Sequence, residues 1–298
     1  MPDRLVCCGL TTVDVTQVLD RLPGPDEKVV ADGLDVTFGG PAANAAAVAT
    51  ALGVPTRLVT VLGTGALADV ARAGLAEAGV EVVDLVPDAP GVLPVSTVLV
   101  TRASGARAVV SVNGARVTSL PVPDLDVLQG ARALLVDGHH PQAAAALGRA
   151  ARGAGVPVLL DGGSWKPATP QLLAVTDLAV LSADFRVPGR AHDDVDALLD
   201  EVACRGPWFV ARSAGQGPVR VRQGAPGGQG VPVRSSVRPP VVPVVDTLGA
   251  GDVLHGAMAA ALAGGAAPVA ALEHGVRCAS ESVQHRGARG WLAARDAD

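Results

Sequence analysis

The sequence predicts an α/β fold in which a mostly parallel sheet is covered by helices on both faces and carries a small second β-sheet. Three observations lead there. Apolar runs of strand length alternate with longer Ala-rich or amphipathic segments along most of the chain, the pattern of β-α-β units and a parallel sheet. At 298 residues and 49% apolar composition, the chain can bury a sizeable core, which excludes a disordered protein. Two β-branched runs, 96–101 and 106–112, flank the turn residues Ser104 and Gly105 as a hairpin does, and this hairpin interrupts the alternation.

In chain order, residues 5–10 form the first strand, and the following Thr-Thr-Val-Asp-Val-Thr places Asp14 just beyond its C-terminal end. Ligands gather at that edge of open α/β sheets; a solvated turn aspartate is the plain alternative. Residues 28–38 alternate weakly and contain Gly33, so they read as one or two short strands projecting from the main body. Gly39 and Gly40 end them, and Pro41 opens a helix at the position proline prefers. Asn44 lies about one turn into this otherwise Ala/Val helix. Asparagine competes for backbone hydrogen bonds and is a poor helix former, so its presence calls for a partner, either a ligand or a neighbouring backbone group. Strand 57–62, helix 66–78, strand 80–85, strand 133–136, helix 141–154, strands 157–160 and 178–181, and helix 193–204 continue the series. His139 and His140 follow a strand end and read as loop or capping residues. No internal repeat or linker divides the chain, so residues 1–298 are expected to form a single domain.

Composition narrows the function. A net charge of −5 without a long basic run argues against a nucleic-acid surface. Cys7, Cys8, Cys204 and Cys278 show neither CxxC nor metal-ligand spacing, and the adjacent Cys7 and Cys8 read as small buried hydrophobes in a reducing cytoplasm. The first residues enter a strand without the basic and apolar regions of a leader, and no apolar run reaches the roughly 18 residues of a membrane span. Neither secretion nor membrane insertion is expected.

The chemistry concentrates in residues 241–264, VVPVVDTLGAGDVLHGAMAAALAG. An apolar β-branched run that reads as a strand ends at Asp246, a glycine-spaced turn follows through Gly249, Ala250 and Gly251, and an Ala-rich helix runs from about Asp252 to Leu262. Glycines here let a ligand approach the backbone, and the free N–H groups at a helix N-terminus favour an anion such as phosphate. Asp252 is the anomaly, because a carboxylate repels what that turn attracts. It makes sense as the acceptor of a proton from a hydroxyl that attacks the phosphate, although an aspartate also favours the positive end of a helix.

The stretch DTLGAGD followed by a small-residue helix resembles the C-terminal signature of the ribokinase family, the PfkB carbohydrate kinases. FGGPAANAAAVATALG at residues 38–53 is similar to that family's N-terminal glycine-rich signature, and the two stand in the order such kinases show. The resemblance implies a ribokinase-like fold across nearly the whole chain, with residues 28–38 and 96–112 as a β-sheet lid over the sugar. It implies an ATP-dependent transfer to a hydroxyl of a sugar or small polyol, with Asp252 as base and the N–H groups of Gly249, Ala250 and Gly251 as the anion hole. Asp14, Gly39, Gly40 and Asn44 are the residues expected to hold the acceptor. Mg²⁺ would accompany ATP, and a monovalent cation such as K⁺ would sit near Asp246. An isolated small sheet leaves edges exposed, so a homodimer clasping two lids is expected.

The chain departs from the family at three places. LSADFR at 181–186 stands where many relatives carry Asn-x-x-Glu, leaving Ser182 and Asp184 as candidates for the Mg²⁺-phosphate region. ARSAGQG at 211–217, ending in Gly217, replaces the usual Thr-x-Gly-x-x-Gly of the ATP loop, and Gly-Thr-Gly at 63–65 replaces a common Gly-Asp-Asp. With Asp-Gly-Gly-Ser-Trp at 161–165, these differences suggest a divergent branch nearer ketohexokinase-like and sulfofructose-kinase-like members. Two other readings remain at this level. A nucleoside kinase of the same fold would need a flat wall for the base, from a chain with three Phe, three Trp and no Tyr. A catalytically silent sugar-binding or regulatory protein would fit the altered loops but gains nothing evident from Asp252.

Overall fold

The computed structural model describes residues 3–102, 107–112, 120–189, 194–228 and 230–295. In chain order the strands are β1 (Arg4–Cys8), β2 (Thr12–Leu19), β3 (Gly33–Gly39), β4 (Thr56–Thr60), β5 (Glu81–Asp84), β6 (Val95–Thr101) and β7 (Arg107–Ser111). They continue with β8 (Ala131–Val136), β9 (Val158–Gly162), β10 (Leu178–Leu181), β11 (Phe209–Ala214), β12 (Gly217–Gln223) and β13 (Val233–Val237). The helices are α1 (Pro41–Ala51), α2 (Ala66–Glu77), α3 (Pro141–Gly153), α4 (Thr169–Leu173), α5 (Val195–Ala203), α6 (Ala250–Ala263), α7 (Pro268–Ser282) and α8 (Gly290–Arg295).

Nine strands form the large sheet in the order β13-β12-β11-β10-β9-β8-β1-β4-β5, parallel from β11 to β5 and antiparallel at the β11–β12 and β12–β13 pairs. The small sheet has the order β3-β2-β6-β7. Side chains alternate between the two faces of the large sheet, as the pleat requires. Leu5 and Cys7 of β1 join one core with Ala residues of α1 and with Leu254 and Met258 of α6. Val6 and Cys8 join the other with Ala144, Leu147 and Leu199 from α3 and α5. This is the α/β class that the alternation predicts.

Four expectations change. Residues 241–246 are not a strand but an exposed coil, because Pro239, Pro240 and Pro243 remove the N–H groups a ladder needs. The strand preceding that coil is β13. Asp14 does not follow β1 as a turn residue; the chain turns at Gly9 and re-enters extended structure, so Asp14 lies inside β2, paired with Thr37 and Ser96 in the small sheet. Of residues 28–38, only those from Gly33 onward are extended. The β11-β12-β13 meander carries no strand assignment from sequence, since its alternating arginines (Arg220, Arg222, Arg234) resemble a solvated loop until Asp196 and Asp200 of α5 pair with them. The hairpin turn residues Ser104 and Gly105 lie outside the described residues. Asp194 caps α5, its carboxylate accepting the N–H groups of Asp196 and Ala197 at 2.9 and 3.1 Å.

Candidate active site

A cavity of about 1010 Å³ lies between the C-terminal ends of the central parallel strands and the inner face of the small sheet, and Asp14, Gly40, Asn44, Asp246, Gly249 and Asp252 all line it. Residues far apart in sequence meet here because β1, β8 and β9 each end at this edge while α1 and α6 begin there. The two helices cross closely: a Cβ on Gly256 would lie 2.5 Å from the Ala45 carbonyl oxygen. That approach lets Asn44 Nδ2 donate to Asp252 Oδ2 at 2.7 Å.

Asp14 accepts the Thr12 hydroxyl at 2.7 Å, and Gly39, the ladder partner of Thr12, lies diagonally across from it on β3. A Cβ at residue 39 would stand 2.0 Å from Asp14 Oδ2, so glycine is what gives this carboxylate its place. Gly40, at φ 96°, turns the chain into α1.

Asp252 sits in the first turn of α6. Burial, then the negative charge of Asp161, push its pKa up to about 7 against the Asn44 hydrogen bond and the nearby His255. Asp161, at the end of β9, is itself raised by burial, with His255 opposing. His255 Nδ1 lies 3.5 Å from Asp161 Oδ2 and 2.7 Å from the Gly251 carbonyl oxygen, and Nε2 lies 3.1 Å from that of Val180. The imidazole thus ties the start of α6 to β10. Asp137 follows β8 and accepts the N–H groups of Leu10, His139 and Ala42 at 2.8, 2.9 and 3.2 Å. Burial alone would raise its pKa, but His139 and these backbone donors hold it well below the usual carboxylate range.

The N-terminus of α6 divides this cavity from a second one of about 350 Å³. Gly249 and Asp252 face the first, while Ala250 and Gly251 line the second with Pro239, Val242, Leu254, Val276 and Ala279. One side is polar and acidic; the other is an apolar slot. The Ala250 N–H reaches the Thr247 carbonyl at 3.3 Å, the weak bond of a helix start. Gly215 and Gln216 lie at the slot, whereas Ser182, Asp184 and Gly217 line neither cavity. Ser182 instead donates to the Gly163 carbonyl at 2.8 Å and accepts the Asp184 N–H at 3.2 Å, and Asp184 faces solvent. Both Asp246 oxygens are taken by backbone, by the N–H groups of Leu248 and Gly287, each at 2.9 Å. Arg107 of β7 reaches the same loop, donating to Thr247 Oγ1 at 2.9 Å. Among the described residues no group of three or more His, Cys, Asp or Glu is placed to hold a metal, and no helix is long and apolar enough to cross a membrane.

Sequence reading missed Asp137, Asp161, His255 and Arg289. Each of the two aspartates ends an apolar strand run, which is a usable signal, and His255 interrupts the apolar face of α6. Arg289 gives none; it lies in the last loop and enters the cavity from there. His139 lines the cavity. His140 stands at the N-cap position of α3 at φ 53°, without a side-chain capping hydrogen bond. Burial lowers the His140 pKa from 6.5 to about 4, Asp137 opposing and His139 adding to the shift. The unfolded chain therefore takes up a proton below pH 6.5 that the folded chain refuses until about pH 4, and stability falls through that window by about 3 kcal/mol at most. Urea unfolding at pH 7.5 and 4.5 should show a smaller loss in His140→Asn, which suits a left-handed position, than in wild type. An equal loss would show that His140 is not the source. The comparison isolates it from Asp161 and Asp252, whose raised values act oppositely, their contribution being lost as pH rises.

A parallel α/β sheet, a small sheet over its ligand edge, and a carboxylate at a helix start between polar and apolar cavities frame the site, and the family match makes the protein a phosphotransferase with an alcohol acceptor. The chain belongs to the pfkB family of carbohydrate kinases, whose model matches residues 2–294. It is 29% identical to the ribokinase of Arabidopsis thaliana over 95% of this chain and 77% of that one. The structure of that ribokinase complexed with ribose and ATP superposes with a TM-score of 0.75 at 24% identity, covering 98% of each chain. The adenosine kinase from Sinorhizobium meliloti superposes at 0.77 and 18% identity, covering all of both chains.

Proposed function

We propose that the protein is an ATP-dependent kinase transferring the γ-phosphate to a hydroxyl of a sugar or related small polyol. The observation that carries this reading is Asp252: a half-buried carboxyl whose surroundings push its pKa up to about 7, set where the polar cavity meets the helix N-terminus. A general base works best with its pKa near the operating pH. The acceptor occupies the larger cavity, held by Asp14 and Asn44 and admitted close to the backbone at Gly39 and Gly40. Asp252 takes the proton as the acceptor oxygen bonds to phosphorus and the bond to the departing ADP breaks. N–H groups of Gly249, Ala250 and Gly251 face the transferring phosphoryl group, whose loose transition state depends on positioning and charge stabilisation.

The apolar slot suits the adenine of ATP in shape and chemistry. Mg²⁺ would ride on the phosphates with its water, as that ion prefers; Asp184, which faces solvent and lines neither cavity, is given no part in holding it. Asp246 clamps its loop through Leu248 and Gly287, and its remaining lone pairs leave a place beside it for a monovalent cation such as K⁺. The unpaired thiols and buried Cys7 and Cys8 suit a reducing cytoplasm.

Val18, Val98, Val100 and Val109 give the cavity an apolar ceiling, which favours a nucleoside as second reading. ADP release with Mg²⁺-ATP across sugars, sugar phosphates and nucleosides decides: turnover confined to nucleosides selects that reading, and acceptor binding without turnover on any compound selects a silent binding protein.

Leu34 and Val110 stand 67 and 74% exposed on the small sheet, whose outer strands β3 and β7 each pair on one side only among the described residues. We expect a homodimer through these sheets. Sedimentation giving a dimer at micromolar concentration, and a monomer for Val110→Glu, is the expected result; a fully active wild-type monomer would remove the idea.

A further inference from the structure

Arg289 is a feature of the cavity that the proposed roles leave unused. Its guanidinium enters from the loop before α8 and reaches two elements at once. Nη1 donates to Asn44 Oδ1 on α1, and Nη2 donates to Thr37 Oγ1 at 2.7 Å and to the Phe38 carbonyl at 2.8 Å, both on β3. Its Cζ stacks 3.7 Å from the Phe38 ring centroid. Among the described residues no carboxylate lies within ion-pair distance of it. Burial lowers its pKa, yet a guanidinium keeps its charge throughout the working range.

Arginine has donors only, and an asparagine amide has one acceptor end and one donor end. An arginine against Oδ1 therefore dictates which way the amide points, leaving Nδ2 no choice but the opposite side, where Asp252 Oδ2 accepts it at 2.7 Å. We propose that Arg289 is a positioning residue that aims the base: by fixing the orientation of Asn44 it holds one oxygen of Asp252 in a hydrogen bond and leaves the other free for the acceptor hydroxyl. Because the same guanidinium binds Thr37 and Phe38, the aim of the base also depends on the root of strand β3, and hence on where the small sheet sits. This goes beyond the kinase reading and rests on it only for the kinetic arm of the test.

The groups facing Asp252 are Asn44 from α1, Asp161 from β9, His255 from α6, Asp137 after β8 and Arg289 itself. Removing Arg289 subtracts its positive charge and frees the amide that stabilises the carboxylate, so both effects raise the pH at which Asp252 ionises.

The test uses Arg289→Met and the Asn44 side-chain amide signal, assigned by its disappearance in Asn44→Ala and followed by NMR against pH. In wild type the amide shift should track the Asp252 titration; in Arg289→Met that tracking should be lost. This arm needs no turnover, so it stands apart from the kinase reading. In the kinetic arm the acid limb of kcat should move up by about one pH unit, a tenfold loss below it that recovers at high pH, with little change in the KM for ATP. Losses in Asn44→Ala and Arg289→Met should be non-additive in the double variant. Retained tracking, additive losses, or a rise confined to the acceptor KM would overturn the proposal, the last making Arg289 a substrate contact. Should Arg289→Met not fold, Arg289→Lys carries the same NMR test, since an ammonium has no planar fork to reach Asn44, Thr37 and Phe38 together.

Discussion

Asp252→Asn is expected to lower turnover by about 10²–10⁴-fold, the range for loss of a general base, while acceptor and ATP still bind. Asparagine keeps the size of the side chain and can still meet Asn44, but it accepts no proton. Wild-type turnover should follow the ionised carboxylate, rising with pH through about 7, where burial and Asp161 place its pKa, and falling below. The variant's residual rate should lack that limb. ATP should bind no more weakly, because a negative charge beside the phosphates is gone; unit charges at 4 Å with an effective dielectric of 20 repel by about 4 kcal/mol, less after screening. Steady-state turnover against pH, with calorimetric binding of both ligands, checks the set. A folded variant turning over like wild type would remove Asp252 as base.

Asp14→Ala should weaken acceptor binding by about 10²–10⁴-fold with ATP affinity nearly unchanged, since two charge-assisted hydrogen bonds at about 1.5–3 kcal/mol each disappear. The position of Asp14 makes the result diagnostic. Its carboxylate is set by Thr12 at 2.7 Å and by the missing Cβ of Gly39, and neither contact extends to the apolar slot behind α6. Equal losses for acceptor and nucleotide in calorimetry would show a general defect and reduce Asp14 to a structural residue of β2.

Much of the site was legible because its signals are local. The glycines around residues 39 and 249, the asparagine inside an alanine helix and the aspartate at a helix start are anomalies that short-range physical chemistry exposes. The nucleotide side was less so. Ser182, Asp184 and Gly217 were inferred from places where a resemblance fails, and they line neither cavity; the apolar slot is built instead from prolines, valines and Leu254 spread over two helices and a coil.

Sequence alone determined the fold class, since the period of the apolar pattern fixes strand or helix, and their alternation fixes a parallel sheet covered on both faces. It also singled out Asp252 and the turn before it, which lie within a few residues of one another. Tertiary structure alone decided that Asp14 belongs to a strand of the small sheet, that the run before Asp246 finds no strand partner, and that Asp137, Asp161, His255 and Arg289 surround Asp252. The reason is physical: a hydrogen bond such as Asn44 to Asp252 joins residues 208 positions apart, and burial and charge at such a meeting point arise only when the chain closes on itself.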